Sequence, residues 1–176
     1  NVYNALAGTA VGLQLGLSIR EIAQGIASVQ TIAGRTNLLH VKGMTVIDDC
    51  YNANPVSMKA SIDVLAHTSG RRIAVLGDMG ELGKMEEALH QETGKKAAAM
   101  GFDGLITVGP LSRHLASAAK EGGMTSVFSY ETCEEAAEKL ASLAKAGDAV
   151  LVKGSHYMHM EKVPMLLRGV LTKDGK

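Results

Sequence analysis

The spacing of apolar residues along the chain changes near residue 38. Before that point apolar side chains recur with the period of an α-helix, and a glycine stands at every fourth position from Gly8 to Gly16. Ser18 and Glu21 have the spacing of a capping box, which predicts a second helix that runs to about Val29. Two short helices cannot enclose a core of their own, so we expect residues 1–33 to be part of a neighbouring domain. The apolar helical positions are Ala5, Leu6, Ala10, Leu13 and Leu17.

From residue 38 onward, short apolar runs alternate with helical stretches. This alternation, with short connections, is typical of right-handed βαβ units and predicts an α/β domain with a mostly parallel sheet. We place the boundary between the two parts in residues 31–34. The predicted strands are Leu38–Val41, Thr45–Ile47, Ile73–Leu76, Leu105–Val108, Val127–Tyr130 and Ala149–Val152. The predicted helices are Pro55–Ala66, Glu86–Met100, Ser112–Glu121, Cys133–Ala144 and Glu161–Val170.

The composition narrows the choice of partners. The 176 residues carry 18 basic and 18 acidic side chains, without a block of like charge, and there is no Trp. We therefore expect neither a nucleic-acid surface nor a membrane partner, and no apolar run approaches the roughly 20 residues that span a bilayer. Cys50 and Cys133 predict free thiols in a reducing compartment. The chain begins at Asn1 within an apparent helix, so we expect it to be a piece of a longer polypeptide.

Polar groups follow three of the predicted strands. Asp48 and Asp49 end one strand, and an Asn-rich turn leads from them to Asn54, a suitable helix N-cap. Asp78 and Glu81 lie in the glycine-rich segment after the next strand, and the segment Lys153–His156 follows the last one. Parallel α/β sheets bind ligands at the carboxyl ends of their strands, so these groups predict a site at one edge. Solvated turns would give the same composition, and that alternative stays open at this stage.

The remaining motifs give weaker evidence for a phosphate-binding or metal-binding site. Gly83-Lys84 and Gly94-Lys95 lack the spacing and the following hydroxyl of a phosphate-binding P-loop. His156 and His159 are three residues apart, but too few ligands accompany them to predict a metal site. Arg35 follows a glycine at the expected junction, where a planar cation can reach a phosphate across a cleft.

Taken together, five segments resemble the Mur ligases and occur in the order expected for that family. They span nearly the whole chain, and two of them resemble in particular the members that use D-alanyl-D-alanine as the incoming amine. The segments are Asn1–Ala7, Gly34–Arg35, Asp48–Met58, Ala74–Gly83 and Val152–Ser155.

The resemblance implies an intact enzyme of three domains. Residues 1–33 are similar to the helical tail of a central ATP-binding domain, and residues 34–176 to a C-terminal Rossmann-like domain. The implied reaction is ATP-dependent and adds D-alanyl-D-alanine to UDP-N-acetylmuramoyl-tripeptide, through an acyl phosphate, in peptidoglycan precursor synthesis. It implies a cytoplasmic, monomeric enzyme that uses ATP and Mg²⁺. The phosphate and metal sites would lie mostly outside this chain, so we expect the chain alone to be inactive and assign no catalytic residue within it.

The same resemblance suggests roles for individual residues at the nucleotide. Asn4 matches a position that contacts adenine, Arg35 one that reaches the ATP phosphates, and Asp49 one that binds the ribose.

A second group of positions matches the pocket for D-alanyl-D-alanine, namely Asn54, Asp78 and Ser155. Two residues depart from the family pattern, because Cys50 stands where Ser is usual and His156 where Arg is expected. Arginine at this position would be a permanent, bidentate cation, whereas the imidazole of His156 is neither, which affects how a carboxylate would be held.

Two other functions fit the sequence. The chain could be a small-ligand-binding α/β module without catalysis, or a piece of a sibling ligase such as another Mur enzyme or a folylpolyglutamate synthetase. The amine acceptor that is used separates the siblings.

Overall fold

The structure, a computed structural model, describes residues 2–29, 34–41 and 43–173, and side chains as far as residue 169. The chain divides into two compact units, Asn1–Ile32 and Ala33–Lys176. The predicted boundary at residues 31–34 lies largely outside the described residues. That residues 1–33 form the tail of a central domain remains a prediction.

The first unit is a pair of helices, α1 (Val2–Gln14) and α2 (Ile19–Ala27). The predicted capping box is present, because Ser18 and Glu21 each bond the other's backbone. Of the three evenly spaced glycines only Gly12 is a close-contact position, where an added Cβ would lie 2.8 Å from Ile22 Cγ1. Gly12 therefore lets the two helices approach, whereas Cβ atoms at Gly8 and Gly16 would meet nothing within 4 Å.

The second unit contains all six predicted strands and all five predicted helices. Most bounds differ from the prediction by one or two residues, and the last helix extends three residues further. The strands are β1 (Asn37–Val41), β2 (Met44–Asp48), β3 (Arg72–Gly77), β4 (Gly104–Val108), β5 (Val127–Tyr130) and β6 (Ala149–Lys153). The helices are α3 (Pro55–Ala66), α4 (Glu86–Ala99), α5 (Ser112–Glu121), α6 (Cys133–Leu143) and α7 (Lys162–Lys173), with 3₁₀ turns at Gly83–Met85 and His156–Met158.

The strands form one sheet in the order β1-β2-β6-β3-β4-β5. β1 pairs with β2 in antiparallel fashion, and every other neighbouring pair is parallel. The predicted α/β class with a mostly parallel sheet is thereby confirmed. No helix in the described part of the chain is both long and apolar enough to cross a bilayer.

Both faces of the sheet are covered. Alternate residues of the central strands point to opposite faces, so Val150 joins a core beneath α6 and α7 while Leu151 joins one beneath α3, α4 and α5. Burial on both faces explains why these strands are short continuous apolar runs rather than alternating ones.

The order of the strands decides which loops meet. β6 lies between β2 and β3, and β4 follows β3, so the loops after these four strands leave the same edge side by side. Although residues 49–54, 78–82 and 154–157 are far apart in the sequence, they are neighbours in space.

Candidate functional site

The loop after β2 ends in a well-formed helix start. Asn54 Oδ1 accepts from the Ser57 N–H at 2.8 Å, and Ser57 Oγ accepts from the Asn54 N–H at 3.1 Å. Pro55 occupies the first helical position, where an N–H would have no helical acceptor. The N-cap predicted for Asn54 is thus present. Its amide oxygen is already bonded, which leaves the Asn54 Nδ2 group to face a ligand.

Ser155 joins the three loops together. Its N–H donates to Asp78 O at 2.9 Å, and its hydroxyl accepts from the Gly80 N–H at 2.7 Å and donates to Ala53 O at 3.3 Å. The residue is only 3% exposed. Ser155 therefore fixes the relative positions of the loops, in addition to any contact with a ligand.

A cavity of about 440 Å³ opens between these loops. An added Cβ at Gly80 would lie 2.8 Å from Tyr157 Cε1, so a side chain there would push the exposed Tyr157 ring away from this wall. A volume of this size is within the usual range for small-ligand sites. The lining residues are Asn52, Ala53, Asn54, Gly80, Glu81, Leu82, Ser155, His156 and Tyr157. The structure therefore brings Asn54 and Ser155 together, as the sequence predicted.

Asp78 lies beside the cavity but does not line it. Its side chain is 2% exposed, and its Oδ1 accepts from the Ser112 N–H at 2.6 Å and contacts the Ser112 hydroxyl. The carboxylate packs against Gly109, where an added Cβ would lie 2.7 Å from three of its atoms. Asp78 thus ties the end of β3 to the first turn of α5, and its main-chain oxygen, rather than its carboxylate, meets Ser155.

Asp49 lies at the centre of a second polar cluster. Its Oδ2 is 2.6 Å from Lys153 Nζ and 2.7 Å from Ser61 Oγ, and its Oδ1 accepts from the Thr36 N–H at 3.0 Å. Lys153, 2% exposed, also donates to Asn52 O at 2.9 Å. Lys153 is one of the polar groups that the sequence predicted for a site at this edge, but its ammonium is turned towards Asp49 and main-chain carbonyls.

Burial disfavours the charged form of the Asp49 carboxylate. The hydrogen bonds from Lys153 and Ser61, together with the charge of Lys153, outweigh that effect and lower the Asp49 pKa. The folded state therefore holds this group in its ionised form more strongly than the unfolded chain does.

We expect this shift to appear as acid sensitivity. Because the folded pKa of Asp49 is depressed, its contribution to stability is complete above the unfolded pKa of about 4. It is lost as the pH falls from there through the lower folded pKa. We would measure urea midpoints of wild type and Asp49→Asn from neutral pH downward. The decrease in midpoint with falling pH should be smaller in the variant. If the midpoints of the two proteins decreased equally with falling pH, Asp49 would not be the source of the acid sensitivity.

Arg35 is an exposed cation near the same cluster. Its guanidinium lies 4.0 Å from the centre of the Tyr51 ring, and the Tyr51 and His156 rings are 6.1 Å apart. Arg35 adjoins Thr36, so its main chain lies next to Asp49. Asn4 is an exposed residue of α1 and belongs to the other unit.

The two cysteines are free and buried. Burial, and then the nearby Asp48 carboxylate, raise the Cys50 pKa far above the usual thiol range. Burial also raises the Cys133 pKa to about 11. These protonated thiols are unsuited to nucleophilic chemistry. The described residues contain no group of three side chains suited to a metal ion.

Three polar residues at this edge had no distinguishing signal in the sequence. Ser61 bonds Asp49, Ser112 bonds Asp78, and His90 bonds the Met79 N–H. Ser61 and Ser112 look like ordinary helix residues, and His90 is one of four histidines without regular spacing. Only the fold shows their partners.

Comparison with known proteins gives the family. The family described as "Mur ligase, glutamate ligase domain" matches residues 34–156. The chain belongs to the Mur ligase family. The resemblance read from the sequence is therefore confirmed.

Individual relatives carry a more specific name. The UDP-N-acetylmuramoyl-tripeptide–D-alanyl-D-alanine ligase of Escherichia coli K12 is 35% identical over 169 residues, which are 96% of this chain and 37% of that protein. A crystal structure of MurF from Acinetobacter baumannii has a TM-score of 0.87 at 33% identity, over 94% of this chain and 37% of that one. MurF from Thermotoga maritima in complex with ADP has a TM-score of 0.79 at 29% identity, over the same shares. The chain thus spans little more than a third of the length of these Mur ligases.

Proposed function

We propose that this chain is the C-terminal domain of an ATP-dependent ligase that joins D-alanyl-D-alanine to UDP-N-acetylmuramoyl-tripeptide in the cytoplasm. The observation that carries the proposal is similarity to ligases of that name over nearly the whole chain, at 35% identity to the Escherichia coli enzyme. The cavity at the strand ends supports it, because an acceptor amine needs a pocket beside the reacting carboxyl group. A binding module without catalysis has no comparable support.

The cavity suits a small zwitterion such as the dipeptide. Glu81 lines it with an exposed side chain, and the described residues offer its carboxylate no hydrogen-bond or ion-pair partner. Its φ of +63° is a strained value for a residue with a side chain. We infer that Glu81 binds the ammonium group of the incoming dipeptide. Asn54 Nδ2 and the ring of His156 are donors in the same cavity for its carboxylate.

The nucleotide would contact the Asp49 cluster. Each oxygen of a carboxylate can accept two hydrogen bonds, and the contacts of Oδ1 are the Thr36 N–H at 3.0 Å and a longer one to the Thr36 hydroxyl at 3.4 Å. A ribose hydroxyl would take the place of the Thr36 hydroxyl, whose 3.4 Å contact with Oδ1 is long for a hydrogen bond, and the exposed Arg35 nearby suits phosphate. Bound ATP would supply the phosphoryl group that activates the substrate carboxylate. Asn4 as an adenine contact, Mg²⁺ held mostly outside this chain, and a monomeric enzyme remain predictions.

The test is acceptor use by the full-length ligase that contains this chain. With UDP-N-acetylmuramoyl-tripeptide and ATP, we expect ADP release to depend on D-alanyl-D-alanine, and not on D-glutamate, L-alanine or L-glutamate. Turnover with one of those substrates instead would overturn the proposal in favour of a sibling ligase. The 176-residue chain assayed alone should release no ADP.

Replacing Glu81 with Gln tests the acceptor pocket. Loss of one charge-assisted hydrogen bond, worth about 1.5–3 kcal/mol, should raise the KM for D-alanyl-D-alanine about 10- to 150-fold. The KM for ATP should stay the same. Glu121→Gln, an exposed acid at the end of α5, is the matched control. An unchanged acceptor KM in Glu81→Gln would remove Glu81 from the pocket.

A further inference from the structure

A buried histidine lies behind the wall of the cavity. His90, on α4, is fully buried. Its Nε2 accepts from the Met79 N–H at 2.9 Å, and its Nδ1 is 2.7 Å from Glu86 O, one turn earlier in the same helix. Both ring nitrogens therefore have partners, and His90 is not among the residues that line the cavity.

The two contacts require the same form of the ring. A carbonyl oxygen only accepts, so Nδ1 must carry the proton that is donated to Glu86. The Met79 N–H only donates, so Nε2 must be the unprotonated nitrogen. The His90 ring is therefore neutral, with its proton on Nδ1. The bond to Glu86 fixes the ring to α4, and its Nε2 is a rigid acceptor for the loop after β3.

The loop that His90 holds is the one that forms the cavity wall. Asp78 is bonded to Ser112, Met79 to His90, and the Gly80 N–H to Ser155. Three consecutive residues are thus anchored to three different elements, namely α5, α4 and the segment after β6. Met79 is the middle anchor, and Gly80 and Glu81, which line the cavity, follow it directly.

We propose that His90 is a positioning residue for the acceptor substrate and acts through the Met79 N–H. By fixing Met79, it sets the direction in which the chain continues into Gly80 and Glu81, and hence where the incoming amine is held. The inference rests on the proposed function and adds to it a residue that does not touch the substrate.

Two substitutions at position 90 separate this role from simple core packing. In His90→Gln, a side-chain oxygen reaches the place of Nε2 and can accept from Met79. In His90→Asn, the shorter amide reaches only the place of Nδ1, so it can bond Glu86 but not Met79. His67→Asn is the matched control, because His67 Nδ1 makes the same contact to a carbonyl four residues earlier, Asp63 O, at 2.7 Å on an exposed helix end.

The experiment combines steady-state kinetics of the full-length ligase with hydrogen exchange of the peptide that covers residues 77–83. For His90→Asn we expect a KM for D-alanyl-D-alanine raised on the order of 10- to 100-fold, an unchanged KM for ATP, and faster exchange in that peptide. His90→Gln should recover most of both properties, and His67→Asn should resemble wild type. Equal acceptor KM values in folded His90→Asn and wild type, or a His90→Gln variant as impaired as His90→Asn, would overturn the proposal.

The two readouts also separate this inference from the function on which it rests. Wild-type ligase that ignores D-alanyl-D-alanine would refute the proposed function. The exchange pattern of the His90 variants would still show whether Met79 is held in this way. Unchanged exchange in His90→Asn would refute the positioning role even in an enzyme that uses the dipeptide.

Discussion

Lys153→Met should lower the free energy of unfolding by about 3–5 kcal/mol at neutral pH, the usual cost of leaving one charge of a buried pair without its partner. Methionine nearly matches the length of the lysine stem, so the core stays filled. Asp49, however, loses the ammonium that lies 2.6 Å from its Oδ2. Urea unfolding of the chain followed by far-ultraviolet circular dichroism measures the effect, since there is no Trp to report it by fluorescence.

A surface pair in the same unit provides the control. Lys59 and Glu92 are 3.1 Å apart with both side chains about half exposed, so Lys59→Met should cost less than about 1 kcal/mol. The deficit of Lys153→Met should shrink as the pH falls, because a neutral Asp49 needs no counter-charge. Equal losses in the two lysine variants would show that the Asp49–Lys153 pair does not stabilise the fold.

Gly109→Ala should also be strongly destabilising, by about 2–5 kcal/mol, for two separate reasons. The residue has a φ of +103°, which a side chain strains. In addition, the new Cβ would lie 2.7 Å from the carboxylate of Asp78, which is buried and bonded to Ser112. Relief of that contact requires the end of β3 or the first turn of α5 to move. Thermal or urea unfolding measures the loss.

Gly123→Ala isolates the first of these reasons. Gly123 has a similar φ of +95°, but an added Cβ there meets nothing within 4 Å, so only about 1–2 kcal/mol should be lost. Full-length Gly109→Ala should in addition bind D-alanyl-D-alanine more weakly, because Asp78 precedes the cavity wall. If the two alanine variants were equally stable, the close packing of Gly109 on Asp78 would not matter.

The sequence by itself determined the elements and the edge of the sheet at which their polar groups gather. Their signals are local: the capping pair of Ser18 with Glu21 and the helix start at Asn54 both appear as predicted. Alternation of strands and helices determined the parallel sheet, because right-handed crossovers allow few other arrangements. It also placed Asn54 and Ser155 on one edge, since parallel strands end on the same side.

Only the tertiary structure decided which polar groups remain available to a ligand. Asp78 and Lys153 looked like ligand contacts, but the insertion of β6 between β2 and β3 pairs Lys153 with Asp49, and the approach of α5 pairs Asp78 with Ser112. Among the described residues Glu81 has no hydrogen-bond or ion-pair partner, whereas the packing of α4 places His90 against the Met79 N–H. The hydrogen bond between Lys153 and Asp49 joins groups that are 104 residues apart in the chain. The sequence therefore shows which polar groups the chain contains, while the order of the strands determines which of them come into contact.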